Sequence, residues 1–447
     1  MTSASKHPSR RDFLRRLGVG TATAVGAGYG LSVWGGLSEG KLGDTPAAAS
    51  TRVGQVNADT NGHTLVIVEL GGGNDGLNTV VPLQDGRYRD LRPTLGVTDA
   101  IDLDGEVGLH PSLPKLASRY GNGHVAVIEG LGYDDADLSH FGSFAIWWSA
   151  KGGTGGGGWL GAYLDGTVGF DDPLAAISIG PGPSPALIGR ASFATTIADA
   201  SGLQPRVPAW LDSTGQDVDD LIAAWSDVKP AHVDTTTLVG QVQRAVGLTV
   251  KARTKLDHSL EPESSAARSP TSRAERGPGR PGYQDTSVGD SLLLAAELVQ
   301  SPARPRIVYI NGVGDFDTHQ GQAERHPVLL EQLDEGIDGF FSALDKSADQ
   351  QVADRVVLMT VSEFGRRPQE NGSGTDHGTA NVHFVVGPKV KGGRYGEPAS
   401  LTHLDEDGNL RHTDDFRRHY ASGLRWLGVE DTTPVLGDDY KAFPMFE

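Results

Sequence analysis

Four short apolar runs constrain this chain more than any other feature. They are Leu65–Leu70, Val125–Ile128, Ile307–Ile310 and Val356–Val361, and Val382–Val386 is a candidate fifth. A strand with one wet face alternates apolar with polar residues. A strand that is apolar at nearly every position must be covered on both faces. Helix-period segments lie between the runs. Ser287–Gln300 carries Leu292, Leu293, Ala296, Leu298 and Val299, and the segment from about Gln322 to Leu344 carries Leu329, Leu330, Leu333, Ile337, Phe340, Phe341 and Leu344. Strand, helix and strand recurring in this order predict parallel strands joined by crossover helices. The expected fold class is therefore α/β, a three-layer sandwich around a mostly parallel central sheet.

The loops beyond these runs carry the chemistry. Asn74-Asp75-Gly76, Leu138-Ser139-His140, Asp317-Thr318-His319, Ser362-Glu363-Phe364-Gly365-Arg366 and Thr375-Asp376-His377-Gly378 each lie just past an apolar run. An open α/β sheet gathers the loops beyond its strand ends on one rim, where ligands bind. Residues three hundred positions apart in sequence can thus line one pocket.

Taken singly, several of these motifs also have plain readings. Leu70-Gly-Gly-Gly-Asn-Asp-Gly-Leu-Asn78 lets backbone approach a ligand with Asp75 reaching a cation, or is a glycine turn capped by Asp or Asn. It does not fit a dinucleotide fingerprint, because no helix follows a G-x-G-x-x-G. Ser139 precedes a candidate helix, Phe141–Trp148, and so is either an N-cap or an activated nucleophile. Asp315, Asp317 and His319 offer two carboxylates and an imidazole within five residues, a chelating set or a solvated acidic turn. The adjacent pair Asp376-His377 sits among glycines and can present ligands to metals. Arg366 suits a phosphate or sulfate oxygen, or a salt bridge to an acid such as Glu363. His110, His383, His403, His412 and His419 are not ranked by the sequence.

The first fifty residues read as an address. Ser9-Arg10-Arg11-Asp12-Phe13-Leu14-Arg15 is a twin-arginine signature, Leu17 to about Leu37 is mildly apolar, and Ala47-Ala48-Ala49 offers a cleavage site. We expect residues 1–49 to be a Tat export signal, handed to the Tat translocase and removed. The glycines make the stretch too weakly apolar for a retained anchor, so no stable membrane insertion is expected. The chain has no cysteine, which suits folding before export and excludes thiolate metal sites and cysteine nucleophiles. Formal charge is -18. The first 49 residues hold six basic and three acidic groups, leaving -21 on the remainder. That argues against nucleic acid as a partner. Residues 50–447 are expected to form one domain, interrupted by a mobile, Pro/Gly-rich insertion at about 251–286.

Seven motifs in order resemble a known family. They are Leu70–Pro82, Leu109-His110-Pro111, Ser139-His140-Phe141, Gly158-Trp159-Leu160, Asp317-Thr318-His319, Ser362–Arg366 and Gly374–Asn381. Together they look like the Tat-exported "domain of unknown function 1501" family, commonly grouped with the alkaline phosphatase-like superfamily that includes sulfatases. That resemblance implies an alkaline phosphatase-like fold and an exported, metal-dependent hydrolase of phosphate or sulfate esters. Carried over by position, it implies Asp75, Asp317, His319, Asp376 and His377 as ligands of one or two divalent ions (Zn, Ca, Mg or Mn). Glu363 would stand in for a final histidine. Ser139 is then the nucleophile, Arg366 steadies the transferred group, and the substrate is a small-molecule or glycan ester. The alternative is a non-catalytic cell-envelope or glycan-binding protein on the same fold.

Overall fold

The computed structural model describes residues 62–151, 157–168, 172–189, 192–197 and 288–446, with the backbone of two further strands at 21–25 and 31–36. The expected insertion at 251–286 and the rest of the expected export signal lie outside these residues.

The central sheet is built on β3 (Thr64–Leu70), β7 (Val125–Gly132), β8 (Ala176–Ile179), β9 (Phe193–Ile197), β10 (Ile307–Val313), β11 (Val356–Val361) and β14 (Asn381–Val386). At one edge lie β1 (Thr21–Val25) and β2 (Leu31–Gly36), and at the other β15 (Gly393–Tyr395) and β16 (Asp414–Asp415). The order is β1-β2-β9-β8-β10-β3-β11-β14-β7-β15, with β16 also on β7. The middle five strands, β9-β8-β10-β3-β11, are all parallel. The α/β class and mostly parallel sheet therefore hold.

Both faces of the sheet are buried. Val66, Val68 and Leu70 of β3 point into one apolar layer, and Leu65 and Ile67 into the other. The first layer is closed by α1 (Pro114–Gly121), α4 (Val288–Gln300) and α5 (Gln322–Asp345). The second is closed by α2 (His140–Ser149), α3 (Trp159–Thr167) and α6 (Arg417–Trp426). The two helices expected from periodicity end within a residue of where the pattern puts them. Burying a Leu, Val or Ile side chain is worth about 1.5–3 kcal/mol, so this two-sided burial fixes which strands sit centrally.

Two strands run the other way, β2 at the edge and β14 within the sheet. The sequence pattern predicts Val382–Val386 as a parallel strand, but β14 is antiparallel to both neighbours, β11 and β7. The reason is the connection. Parallel strands need a crossover of a dozen or more residues, usually helical. Between β11 and β14 the chain instead forms a hairpin, β12 (Gly365–Glu370) and β13 (Thr375–Gly378), and returns directly. That hairpin folds over the strand ends and carries three of the expected site residues. A separate three-stranded sheet, β4 (Val80–Pro82), β5 (Ile101–Asp102) and β6 (Val107–Leu109), flanks the first loop.

Candidate metal centre

Because β3, β7, β10 and β11 point the same way, the loops after them meet on one rim. The first loop, Gly71–Asp75, is held by its glycines. Gly72 and Gly73 have φ of +113° and +76°. A Cβ on Gly72 would fall 2.3 Å from the Asp317 amide nitrogen, and one on Gly73 2.3 Å from the Phe364 ring. Bare backbone is needed here so that protein, rather than ligand, can pack against it.

Arg366 fastens these loops together. Its guanidinium donates to the carbonyls of Gly73 (2.7 Å), Thr375 (2.7 Å), Phe316 (3.2 Å) and Gly72, and to Asp317 Oδ1 (2.7 Å). It is 1% exposed. Every arm of the guanidinium is committed to protein, so the expected role of gripping a substrate oxyanion is not the one the structure gives it. Arg366 is a buried clamp that also aims Asp317.

Three imidazoles converge on that carboxylate. His377 Nε2 lies 3.3 Å from Asp317 Oδ1, His319 Nε2 lies 3.2 Å from the same oxygen, and the two Nε2 atoms are 3.0 Å apart. His140 Nε2 is 3.6 Å from Asp317 Oδ2. Ligand atoms of His140, Asp317 and His377 all fall within 4.8 Å of one another. These spacings suit a shared divalent ion, because ligands bound at roughly 2.0–2.1 Å sit about 3 Å apart.

The far side of each ring is equally informative. His140 Nδ1 is 2.7 Å from Glu363 Oε1, His319 Nδ1 is 3.1 Å from Asp376 Oδ1, and His377 Nδ1 is 2.8 Å from the Leu138 carbonyl. Carboxylates and carbonyls only accept, so all three rings donate from Nδ1. In their neutral forms the Nε2 lone pairs then face each other and a carboxylate. Facing acceptors repel unless a proton or a cation lies among them. Donation of the far N–H to a carboxylate or carbonyl is also how metal-bound histidines are oriented. The donor set therefore fits a divalent ion held by Asp317, His377 and His140, with His319 Nε2 an adjacent donor beside His377 and Asp317.

The charges agree. Burial alone would raise the Asp317 carboxyl, but its close contacts with His140, His377 and Arg366 outweigh it and hold it far below the carboxylate range. Burial alone would lower His140. Its bonds to Asp317 and Glu363 prevail and raise it to about 9. Asp376 is held low by Asn371, despite some desolvation, and by His319.

Several expected ligands stand one step back. Glu363 is fully buried, and its oxygens accept from the amides of Gly72 (2.9 Å) and Gly73 (3.1 Å) as well as from His140. It orients a ligand instead of substituting for one. Asp376 points at His319 and Asn371 (3.0 Å) and does the same from the exposed side. Asp75 does not join the cluster. Its carboxylate is fully buried, takes Arg92 Nη1 at 2.5 Å and accepts from Gln322. Asp315 turns to Arg325 at 2.9 Å. Ser139 sits at the N-cap of α2 but makes no side-chain capping bond. It is flanked by Leu138, whose carbonyl holds His377, and by His140. Leu138 itself has φ +54°, a left-handed conformation unusual for leucine.

His140 is the candidate ligand that sequence reasoning misses. It stands in a motif read for its neighbour Ser139. The signal is present all the same: an imidazole at the start of a helix that begins just past a buried strand.

The model of the family described as "Protein of unknown function (DUF1501)" matches residues 63–417. The chain belongs to the DUF1501 family. Each candidate ligand named above lies inside the DUF1501 match. Among curated proteins none matches the chain. Solved structures resemble it more loosely. One is a protein in the alkaline phosphatase superfamily from Vibrio parahaemolyticus (TM-score 0.38, 9% identity, covering 87% of this chain and 71% of that one). Another is BT1596, a 2-O GAG sulfatase (0.33, 10%, 86% and 76%). A third is alkaline phosphatase from the Antarctic bacterium TAB5 (0.28, 11%, 73% and 92%). At such distances the chemistry of the DUF1501 site rests on its own atoms.

Proposed function

We propose that this DUF1501 protein is a divalent-metal-dependent hydrolase of phosphate or sulfate esters, exported by the twin-arginine route and working outside the cytoplasm. The observation that carries the metal is the common orientation of His140, His319 and His377. Each ring gives its Nδ1 proton to an acceptor and turns Nε2 toward Asp317. A divalent ion there would supply Lewis-acid polarisation of an ester oxygen and charge to offset the leaving group.

The chain's own residues account for the rest. Arg366 holds Asp317 so that its two oxygens serve different histidines. Glu363, Asp376 and the Leu138 carbonyl keep the imidazoles in one tautomer. Ser139 is the candidate nucleophile. Its hydroxyl is not engaged in capping, and its two neighbours both touch the ligand set. An anionic ester meets favourable charge beside it, because α2 is ten residues long, begins at His140 and has no acid in its first turn.

The test is metal analysis of the full chain, followed by a screen of aryl phosphate and aryl sulfate esters. The expected result is stoichiometric divalent metal, lost in His377→Ala and Asp317→Ala, with turnover lost in Ser139→Ala. Metal retained in both ligand variants would overturn the site. Turnover retained in Ser139→Ala would remove the serine and leave the metal. Glycan binding without metal or turnover would favour a non-catalytic protein on this fold.

A further inference from the structure

Behind the ligands lies a joint that the proposed activity does not by itself require. Gln322 is the first residue of α5, a 24-residue helix, and is buried. Its Oε1 accepts from the hydroxyls of Thr318 (3.2 Å) and Thr375 (2.7 Å), and its Nε2 donates to Asp75 Oδ2. Its backbone N–H donates to the Ser373 carbonyl at 2.9 Å. Thr318 lies between Asp317 and His319, and Thr375 lies two residues before His377. One helical turn later, buried His326 puts Nε2 3.0 Å from Asn74 Oδ1. The first turn of α5 therefore touches three of the loops that meet at the site.

We propose that Gln322 is the positioning residue of the metal centre, setting the distance between the Asp317/His319 loop and the His377 loop through Thr318 and Thr375. This rests on the metal-centre reading. The chemistry of the joint selects a glutamine amide. The Asp75 side needs a donor, because that carboxylate can only accept. The threonine side needs an acceptor, because both hydroxyls donate to it. One amide supplies both, and the Asp75 contact fixes which end faces which. A glutamate would set a second carboxylate against Asp75, and a leucine would offer neither group.

The joint also explains why Asp75 is buried beside the site without reaching it. Arg92 neutralises Asp75, and Asp75 then holds Gln322 by its amide nitrogen. The direct backbone-to-backbone bond between Thr375 N and the Thr318 carbonyl is long, at 3.3 Å, and the side-chain links His319–Asp376 (3.1 Å) and Asn371 to the His319 carbonyl (3.2 Å) lie on the more exposed side. The donor atoms of His319 and His377 are only 3.0 Å apart. A shift of one loop by half an ångström therefore changes that spacing by about a sixth.

The experiment is a titration of the metal-free full chain with Zn2+ alone, in wild type, Gln322→Leu, Thr375→Val, Thr375→Ser and the Gln322→Leu/Thr375→Val double variant. Outer partners of metal ligands change affinity by roughly 10–100-fold. Gln322 and Thr375 act one bond behind the ligands, so we expect a loss at the lower end of that range, about tenfold, in Gln322→Leu and in Thr375→Val, rescue in Thr375→Ser, and little further loss in the double variant. Residues that share a hydrogen bond are non-additive for stability as well, so thermal melts of the metal-free variants are run alongside: weaker binding with an unchanged melting temperature is positioning, and a matching fall in melting temperature is a general loss of stability. Affinity within twofold of wild type in Gln322→Leu, or additive losses, would overturn the role. If Gln322→Leu does not fold, the comparison of Thr375→Val with Thr375→Ser decides. If wild type itself binds no Zn2+, the metal-centre reading fails first. The joint is then read from histidine ring NMR of the metal-free chain, where unmoved His319 and His377 signals in Gln322→Leu refute it.

Discussion

Replacing Glu363 by glutamine tests the orientation argument at its most buried point. The side chain is fully buried and nearly isosteric after the change, so the fold should persist. The carbonyl oxygen retained in the place of Oε2 keeps the amides of Gly72 and Gly73, which approach that position at 3.2 and 3.1 Å. The new NH2 group then faces His140 Nδ1, which sits 2.7 Å from the present carboxylate. Two donors cannot share that distance. His140 must move its proton to Nε2 or rotate away, and either removes its lone pair from the ligand set. Loss of such an outer carboxylate is worth about 10–100-fold in metal affinity, or about 1.4–2.8 kcal/mol. The measurement is a competition titration of the metal-free chain with a chromophoric chelator, at fixed pH and ionic strength. Thermal melts of the metal-free forms serve as control. We expect weaker binding in Glu363→Gln with a melting temperature close to wild type. Unchanged affinity would refute the claim that Glu363 aims His140 at the ion.

Neighbouring contacts give further expected outcomes. Arg92→Met leaves Asp75 buried without its counter-charge and should cost about 3–5 kcal/mol of stability. Adding Asp75→Asn should recover much of it, as read by urea denaturation. His140 binds its proton more tightly in the fold (about 9) than in an unfolded chain (6.5). The chain kept metal-free with chelator should therefore hold this contribution fully below pH 6.5 and lose it as pH rises through about 9. The contribution is at most about 3 kcal/mol. It is absent in His140→Gln, which melts at pH 6 and pH 9.5 would show. Because the ion must displace that proton, Zn2+ binding below pH 9 should release protons, detectable as a buffer-dependent enthalpy in calorimetry. Gly73→Ala should destabilise the site loop, since its Cβ would overlap the Phe364 ring and its φ is positive. A wild-type melting temperature in that variant would contradict the packing described.

Much of the fold can be read without coordinates. Leu65–Leu70, Ile307–Ile310 and Val356–Val361 are apolar at nearly every position, as strands covered on both faces require. The period of Gln322–Leu344 marks a helix with one buried stripe. The direction of Val382–Val386 is not legible. It depends on a hairpin of polar and glycine residues whose composition resembles that of an ordinary loop.

The candidate site divides in the same way. Residue chemistry and strand-end placement are enough to point at Asp317, His319 and His377, because these acid and imidazole groups lie in short motifs just past the apolar runs. The roles of Asp75, Glu363, Asp376 and Arg366 cannot be settled by type. Each is a charged residue on a rim loop, and each suits either direct contact with a ligand or support of a residue that makes it. Only burial and partner geometry separate the two. Arg366 lies under four carbonyls, Asp75 lies against Arg92, and Glu363 lies on two glycine amides. The sequence determined which residues can do metal chemistry and that the strands would bring them to one edge. The tertiary structure decided which of them turn their donor atoms inward, because that choice depends on a few ångströms of packing between loops far apart in the chain.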